Sequence, residues 1–170
     1  MNETRDKMPE LLAPAGDLAC GIAALKNGAD AVYAGLGSFN ARQRAENFNI
    51  EDMSRLIAFA HKEDKKVYLA LNTLIKENEL VDIFKILREV TILGPDAIIV
   101  QDIGLARMIR EYFPSLTIHA STQMGLHNSA GIAFARDLGI KRVILERQIT
   151  LDELRMIAQK SKGVELEVFV

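Results

Sequence analysis

The chain has 170 residues, 49% hydrophobic and 26% charged, with a formal net charge of -2 and a pI near 5.9. That is enough chain for one domain with its own core, and the charge balance excludes nucleic-acid binding through bulk positive charge while leaving room for a local basic patch. No apolar run reaches the ~20 residues that cross a bilayer, residues 1–8 are too polar for a secretory signal, and one cysteine, Cys20, cannot by itself build a disulfide, a zinc site or an iron–sulfur cluster.

The cytoplasm is therefore the expected compartment. Residues 1–8 read as an extension and 9–170 as a single domain. A first strand is predicted over Glu10–Ala13. Asp17 suits the N-cap of a helix to Lys26, and its apolar Leu18, Ala19, Ile22 and Ala23 make Cys20 a small buried residue. Gly28 ends that helix, and a second strand follows at Asp30–Gly35. The next loop, Ser38–Asn49, is long, and long loops of this kind are often functional. Its Arg42 and Arg44 suit phosphate, and Phe39 or Phe48 suits stacking on a base. The same residues equally fit a loop packed by Phe39 and Phe48, with Arg42 paired to Glu46.

Asn49 opens a predicted helix, Ile50–Glu63, with Met53, Leu56, Ile57 and Ala60 at helical spacing. The third strand, Lys66–Asn72, puts Val67, Leu69 and Leu71 on one face and Tyr68, Ala70 and Asn72 on the other. Then come a helix at Leu80–Leu93, a strand at Asp96–Gln101, a helix at Ile103–Tyr112 and a strand at Thr117–Ser121. In that strand Thr117, His119 and Ser121 share a face. A helix at Ser129–Leu138, capped by Asn128, leads to the strand Arg142–Glu146. Thr150 and Glu153 form a capping box for Leu151–Gln159. The final strand, Val164–Val170, sets Glu165 and Glu167 opposite Val164, Leu166 and Val168. This last glycine-then-strand unit runs to the final residue with no helix to cover it. The expectation is an unfinished βα unit, a chain cut off inside its seventh strand.

Seven strands alternating with six helices give a parallel sheet with right-handed crossovers. One strand face is aliphatic and the other carries polar groups, whereas an open doubly wound sheet would show two apolar faces. The expected fold is an incomplete TIM-like (β/α) barrel, whose active face lies at the C-terminal strand ends. Those ends, with the long loop, supply Asn40, Arg42, Asn47, Asn72, Gln101, Ser121, Gln123 and Arg147 as candidates to bind a polar substrate. Asp102 and Thr122 fit helix caps as well as they fit a site. If their strands are neighbours, Glu165 and Glu167 lie close to Arg142 and Glu146, and pairing with Arg142 or Arg147 is expected, since unpaired carboxylates inside a barrel are costly; alternatively Glu146 and Glu167, as a carboxylate pair, could do acid–base work or hold a metal. His119 reads either as a hydrogen-bonded core residue or as a base. His61 and His127 read as surface residues. No Walker loop, no Gly-x-Gly-x-x-Gly, no His-Glu-x-x-His and no nucleophile elbow is present.

Four stretches together resemble the collagenase-like peptidase family, U-32. They are Glu10–Gly16 (ELLAPAG), Gly28–Gly35 (GADAVYAG), Phe39–Arg42 with Asn47-Phe48, and His119–Gln123 (HASTQ). The resemblance extends over nearly the whole chain from Met8. It implies a barrel-like N-terminal domain and two lines of activity. One is proteolysis, with collagen among the substrates; the other is iron–sulfur-dependent hydroxylation of RNA bases or of the ubiquinone precursor. The family signature opens Glu-x-Phe-x, matched by Glu167–Val170, and continues into a Gly- and Cys-containing segment that would ligate the cluster. The expectation is thus the N-terminal part of such a protein, without a cofactor of its own and inactive alone. Its substrate would be a peptide or an RNA, and its partners a missing C-terminal segment or a second copy joined through open sheet edges, with no membrane involved.

Overall fold

The computed structural model describes residues 8–37, 39–40 and 48–170. In chain order the elements are β1 (Leu12–Pro14), α1 (Leu18–Lys26), β2 (Ala31–Gly35), α2 (Ile50–Lys62), β3 (Lys66–Leu71), α3 (Leu80–Leu93) and β4 (Ala97–Val100). Then follow α4 (Ile103–Tyr112), β5 (Ile118–Ala120), α5 (Ser129–Asp137), β6 (Arg142–Ile144), α6 (Leu151–Lys160) and β7 (Glu165–Glu167). Each strand pairs in parallel with its successor, so the sheet order is the chain order. The sheet curls into the incomplete TIM-like barrel that the two strand faces predict, with β1 and β7 at its edges.

The helix boundaries follow from local chemistry. Side chains of Asp17, Asn49, Asp102, Asn128 and Thr150 accept hydrogen bonds from the backbone N–H of Cys20, Asp52, Leu105, Gly131 and Glu153, satisfying N–H groups that the first helical turn leaves open. Gly94 ends α3 in left-handed backbone at φ 68°, a conformation that costs a side-chain-bearing residue. Two single 3-10 turns, Glu77–Glu79 and Thr122–Met124, have no periodic sequence signal.

The aliphatic face meets the helices. Val67, Leu69 and Leu71 of β3, with Val32, Ile98 and Val143, pack on Leu56 of α2, Leu87 of α3 and Ile109 of α4. Burying each such side chain contributes roughly 1.5–3 kcal/mol. The other face surrounds a small second cluster of Ala31, Tyr68, Ala97, Ile99 and Ile144. Cys20 departs from expectation: it is exposed. Helix α1 turns Gly21 and Leu25 inward, four residues apart, because the missing side chain at Gly21 lets Leu56 approach. That rotation puts Cys20 outward. The last strand is also shorter than Val164–Val170, with ladder pairing only over Glu165–Glu167.

Candidate functional site

Strand register stacks the inward residues in layers. Ala70, Ile99, His119, Arg142 and Glu165 are successive cross-strand partners from β3 to β7. Near the N-terminal end of the barrel these residues build a polar web. Glu10 accepts from Tyr68 Oη at 2.6 Å, from Lys66 Nζ at 2.7 Å and from Arg142 Nη1 at 2.7 Å. Arg142 also donates from Nε and Nη2 to Glu165 at 2.9 and 2.6 Å, and its guanidinium lies 5.2 Å from the Tyr68 ring centre. Glu10 therefore ties the start of β1 to β3 and β6 across the barrel interior. Burial acts to raise its pKa, but the hydrogen bonds from Arg142, Lys66 and Tyr68 outweigh that and hold the carboxyl at about 2. Burial and the Glu10 carboxylate push the Tyr68 phenol up.

His119 stands above this web, buried, with its ring edge-on to Tyr68 at 4.8 Å between centroids. Its Nδ1 has no hydrogen-bond partner among the described residues. Burial first, and then the nearby Arg142 charge, lower its pKa to about 3, so the ring is neutral.

Above this layer, at the C-terminal strand ends, lies a cavity of about 180 Å³. Asn40, Asn72, Ser121, Thr122, Arg147 and Glu167 give it polar groups, and Tyr33, Phe48 and Phe169 give it aromatic ones. Asn40 is buried and donates to the Gly37 carbonyl at 2.9 Å. It lies so close over β2 that a Cβ on Gly35 would stand 2.6 Å from its Cγ, and a side chain there would displace it. Asn72 donates to Gln123 Oε1 at 3.1 Å. Arg147 rests over the Phe169 ring at 4.3 Å, a cation–π contact at the rim.

The structure thus gathers Asn40, Asn72, Ser121, Arg147 and Glu167 from the sequence candidates. Gln123 touches the cavity group through Asn72, whereas Gln101 and Glu146 are not among the lining residues. Arg42 and Asn47, with Arg44 and Glu46, lie outside the described residues. Phe39 and Phe48 both pack in the helix-side core, but of the two only Phe48 also lines the cavity, where it is joined by Phe169. Asp102 acts as a brace: it caps α4 through Leu105 N at 2.8 Å and holds Ile75 N at 3.1 Å. His61 and His127 are exposed, as expected. Sequence reasoning missed Glu10 and Tyr33 as interior groups. Strand parity was the available signal, since Glu10 is two residues before Leu12 and Tyr33 two after Ala31.

The residues present do not fit an iron–sulfur cluster held by this chain alone. Cys20, the lone thiol, is exposed on α1 and does not line the cavity. Among the described residues no group of three His, Cys, Asp or Glu side chains could hold a metal ion. Among the described residues no helix is long and apolar enough to cross a membrane.

Comparison with known proteins supplies the remaining context. The chain is 40% identical over 162 residues to tRNA hydroxylation protein P of Escherichia coli, a match that covers 95% of this chain and 36% of that protein. It is 35% identical over 161 residues to the 23S rRNA 5-hydroxycytidine C2501 synthase of the same organism, covering 95% of this chain and 24% of that one. The chain therefore spans about a third or less of the length of these relatives. The solved structure of a U32 peptidase superposes with a TM-score of 0.77 at 13% identity, covering 99% of this chain and 71% of that one, which supports the barrel. The model of Peptidase family U32 matches residues 16–170, and the chain belongs to that family.

Proposed function

We propose that this chain forms the substrate-binding barrel of an enzyme that hydroxylates bases in RNA. The observation that carries the reading is the mouth cavity: aromatic Phe48 and Phe169 beside amide, hydroxyl and carboxyl groups, with Arg147 at the rim. Aromatic walls with a few hydrogen-bonding groups suit a base taken out of its stack, and a rim guanidinium suits the adjoining phosphate. The names of the two Escherichia coli relatives agree with this use. A peptidase needs an activated nucleophile or water. His119 Nδ1 has no hydrogen-bond partner among the described residues, so it is not paired with Ser121 Oγ, which accepts from Gln123 N, and its lowered pKa makes the ring a weak base; these two do not form an activated nucleophile–base pair. The redox centre for hydroxylation would have to come from outside these 170 residues, so the chain alone is expected to bind RNA without modifying it.

The test is mass spectrometry of nucleosides from tRNA and rRNA of host cells with the gene deleted, then restored as wild type or as Arg147→Ala. Loss of a hydroxylated nucleoside on deletion, recovered with the wild type and reduced at least about threefold with Arg147→Ala, is expected. An unchanged nucleoside profile, together with peptide hydrolysis by the purified protein, would return the peptidase reading.

A further inference from the structure

The net charge of -2 hides an uneven distribution at the N-terminal ends of the strands. Under β1–β4 the cations are matched. Lys65 pairs with Asp30 at 3.2 Å and Lys66 with Glu10 at 2.7 Å, while Lys62 is followed by Glu63 and Asp64. Under β5–β7 they are not. Arg110, Lys141, Lys160 and Lys162 are exposed and have no ion pair among the described residues, and Arg136 has only Asp137, at 3.6 Å. The other acidic residues on this side are Glu111 and Glu165, and Arg142 holds Glu165 at 2.6 Å. The cations form one ridge because two successive βα units repeat the same packing. Near the end of α4, Arg110 lies against Gly139, where any Cβ would collide with its guanidinium. Near the end of α5, Arg136 approaches Gly163, where a Cβ would stand 3.9 Å from its Cδ. Gly139 is two residues before Lys141, and Gly163 follows Lys162. Register closes the gap: Arg142 opposes Glu165, so Lys141 and Lys162 lead into neighbouring strands, about 4.8 Å apart. Attraction to helix C-termini accounts for Arg110, Arg136 and Lys160, each in the last turn of its helix. It does not account for Lys141 and Lys162, which lie beyond the helices.

We propose that this ridge binds the phosphate backbone of a folded RNA, as a second contact separate from the mouth cavity. The choice of RNA as the anion rests on the base reading above. The ridge offers guanidinium and ammonium donors without an aromatic face, so it suits paired RNA, gripped by its backbone with no sequence read. The mouth lies at the opposite strand ends, roughly 20 Å away for a strand as long as β3. A stem of about 16 base pairs, the length a double-stranded-RNA-binding surface covers, is longer than that. One RNA can therefore meet both places.

Fluorescence anisotropy of a labelled, fully paired RNA of about 16 base pairs, titrated with the protein from about 50 to about 200 mM salt, tests the ridge. Wild type is expected to bind, more weakly as salt rises. The double variant Lys141→Gln, Lys162→Gln is expected to weaken binding about tenfold and to flatten the salt slope by about 2. The double variant Lys26→Gln, Lys62→Gln removes the same charge from the matched side of the same face, and is expected to change binding by about threefold or less. All four side chains are exposed, so folding is left nearly unchanged. No binding by wild type, or equal losses in the two double variants, overturns the ridge. Polyglutamate bound more tightly than the duplex at equal salt overturns the RNA assignment in favour of an acidic protein partner. The nucleoside assay is independent of this one. Duplex binding as expected, with an unchanged nucleoside profile on deletion, keeps the ridge and removes the base reading. The reverse pair of results keeps the base reading and removes the ridge.

Discussion

At the scale of single residues, the barrel interior joins two demands that pull apart with pH. His119 is held near 3 against an ordinary 6.5, so the unfolded chain binds a proton there before the folded one does. Its contribution is present above pH 6.5 and is lost as pH falls toward 3, on the order of a few kcal/mol in all. Glu10, near 2 against 4.5, adds the same sign of loss below pH 4.5, where unfolded carboxyls protonate first. Glu167, with a raised pKa, has the opposite sign: its contribution fades as pH rises through its folded value. Urea unfolding between pH 7 and pH 4 is therefore expected to show falling stability on acidification, and His119→Phe should flatten the slope between pH 6.5 and 4.5 while leaving the steeper loss below. An unchanged slope would mean that His119 is not held neutral. Arg142→Ala, which leaves the largely buried Glu10 and Glu167 without their shared cation while the exposed Glu165 stays solvated, is expected to cost about 3 kcal/mol in the same assay at pH 7. The alternating polar face in the sequence made the Arg142–Glu165 pairing legible. The Glu10 link was not, because 132 residues separate it from Arg142 and no local pattern encodes which strand closes on which.

At the scale of elements, short-range chemistry is most of the story. Strand and helix positions were readable because the units opening at left-handed Gly28, Gly94 and Gly139 are closed by the polar N-caps Asn49, Asp102 and Thr150. Thr150 shows the strength of such signals: it accepts from Glu153 N while Glu153 reaches back to Thr150 N at 2.8 Å. Thr150→Ala should cost about 1 kcal/mol in thermal unfolding, with Thr150→Ser nearly neutral. Asp102 is a more searching case because it joins two elements. Removing its carboxyl frees the α4 N-terminus and Ile75 N together, so Asp102→Ala should cost about 2 kcal/mol, with Asp102→Asn intermediate because one acceptor oxygen remains. If Asp102→Ala is as stable as wild type and loses only ligand binding, Asp102 belongs to the site. The rotation of α1 was less legible. Its Ala-rich sequence offers nearly the same apolarity on several faces, so the absent side chain of Gly21 decided which face meets Leu56, and Cys20 followed outward.

At the scale of the whole molecule, the sheet order places β1 and β7 at the edges, each with a neighbour on one side only. Beside β7, Val168 and Phe169 are 44% and 45% exposed, and Leu11 beside β1 is 52% exposed. Unpaired backbone donors and acceptors next to apolar side chains favour strand addition. The Glu10–Arg142 tie acts differently: it draws the start of β1 toward β6 from inside the barrel without supplying ladder hydrogen bonds to either edge. Curvature can thus persist while both edges stay open to a partner strand. Light scattering across increasing concentration is expected to show self-association of this chain. Val168→Lys should weaken it, since a charge on an edge opposes pairing while Arg142, Glu10 and the cavity floor are left intact. A monodisperse monomer at every concentration would mean that the two edges are already satisfied within one chain. An associating protein unaffected by Val168→Lys would shift the contact to the β1 edge at Leu11.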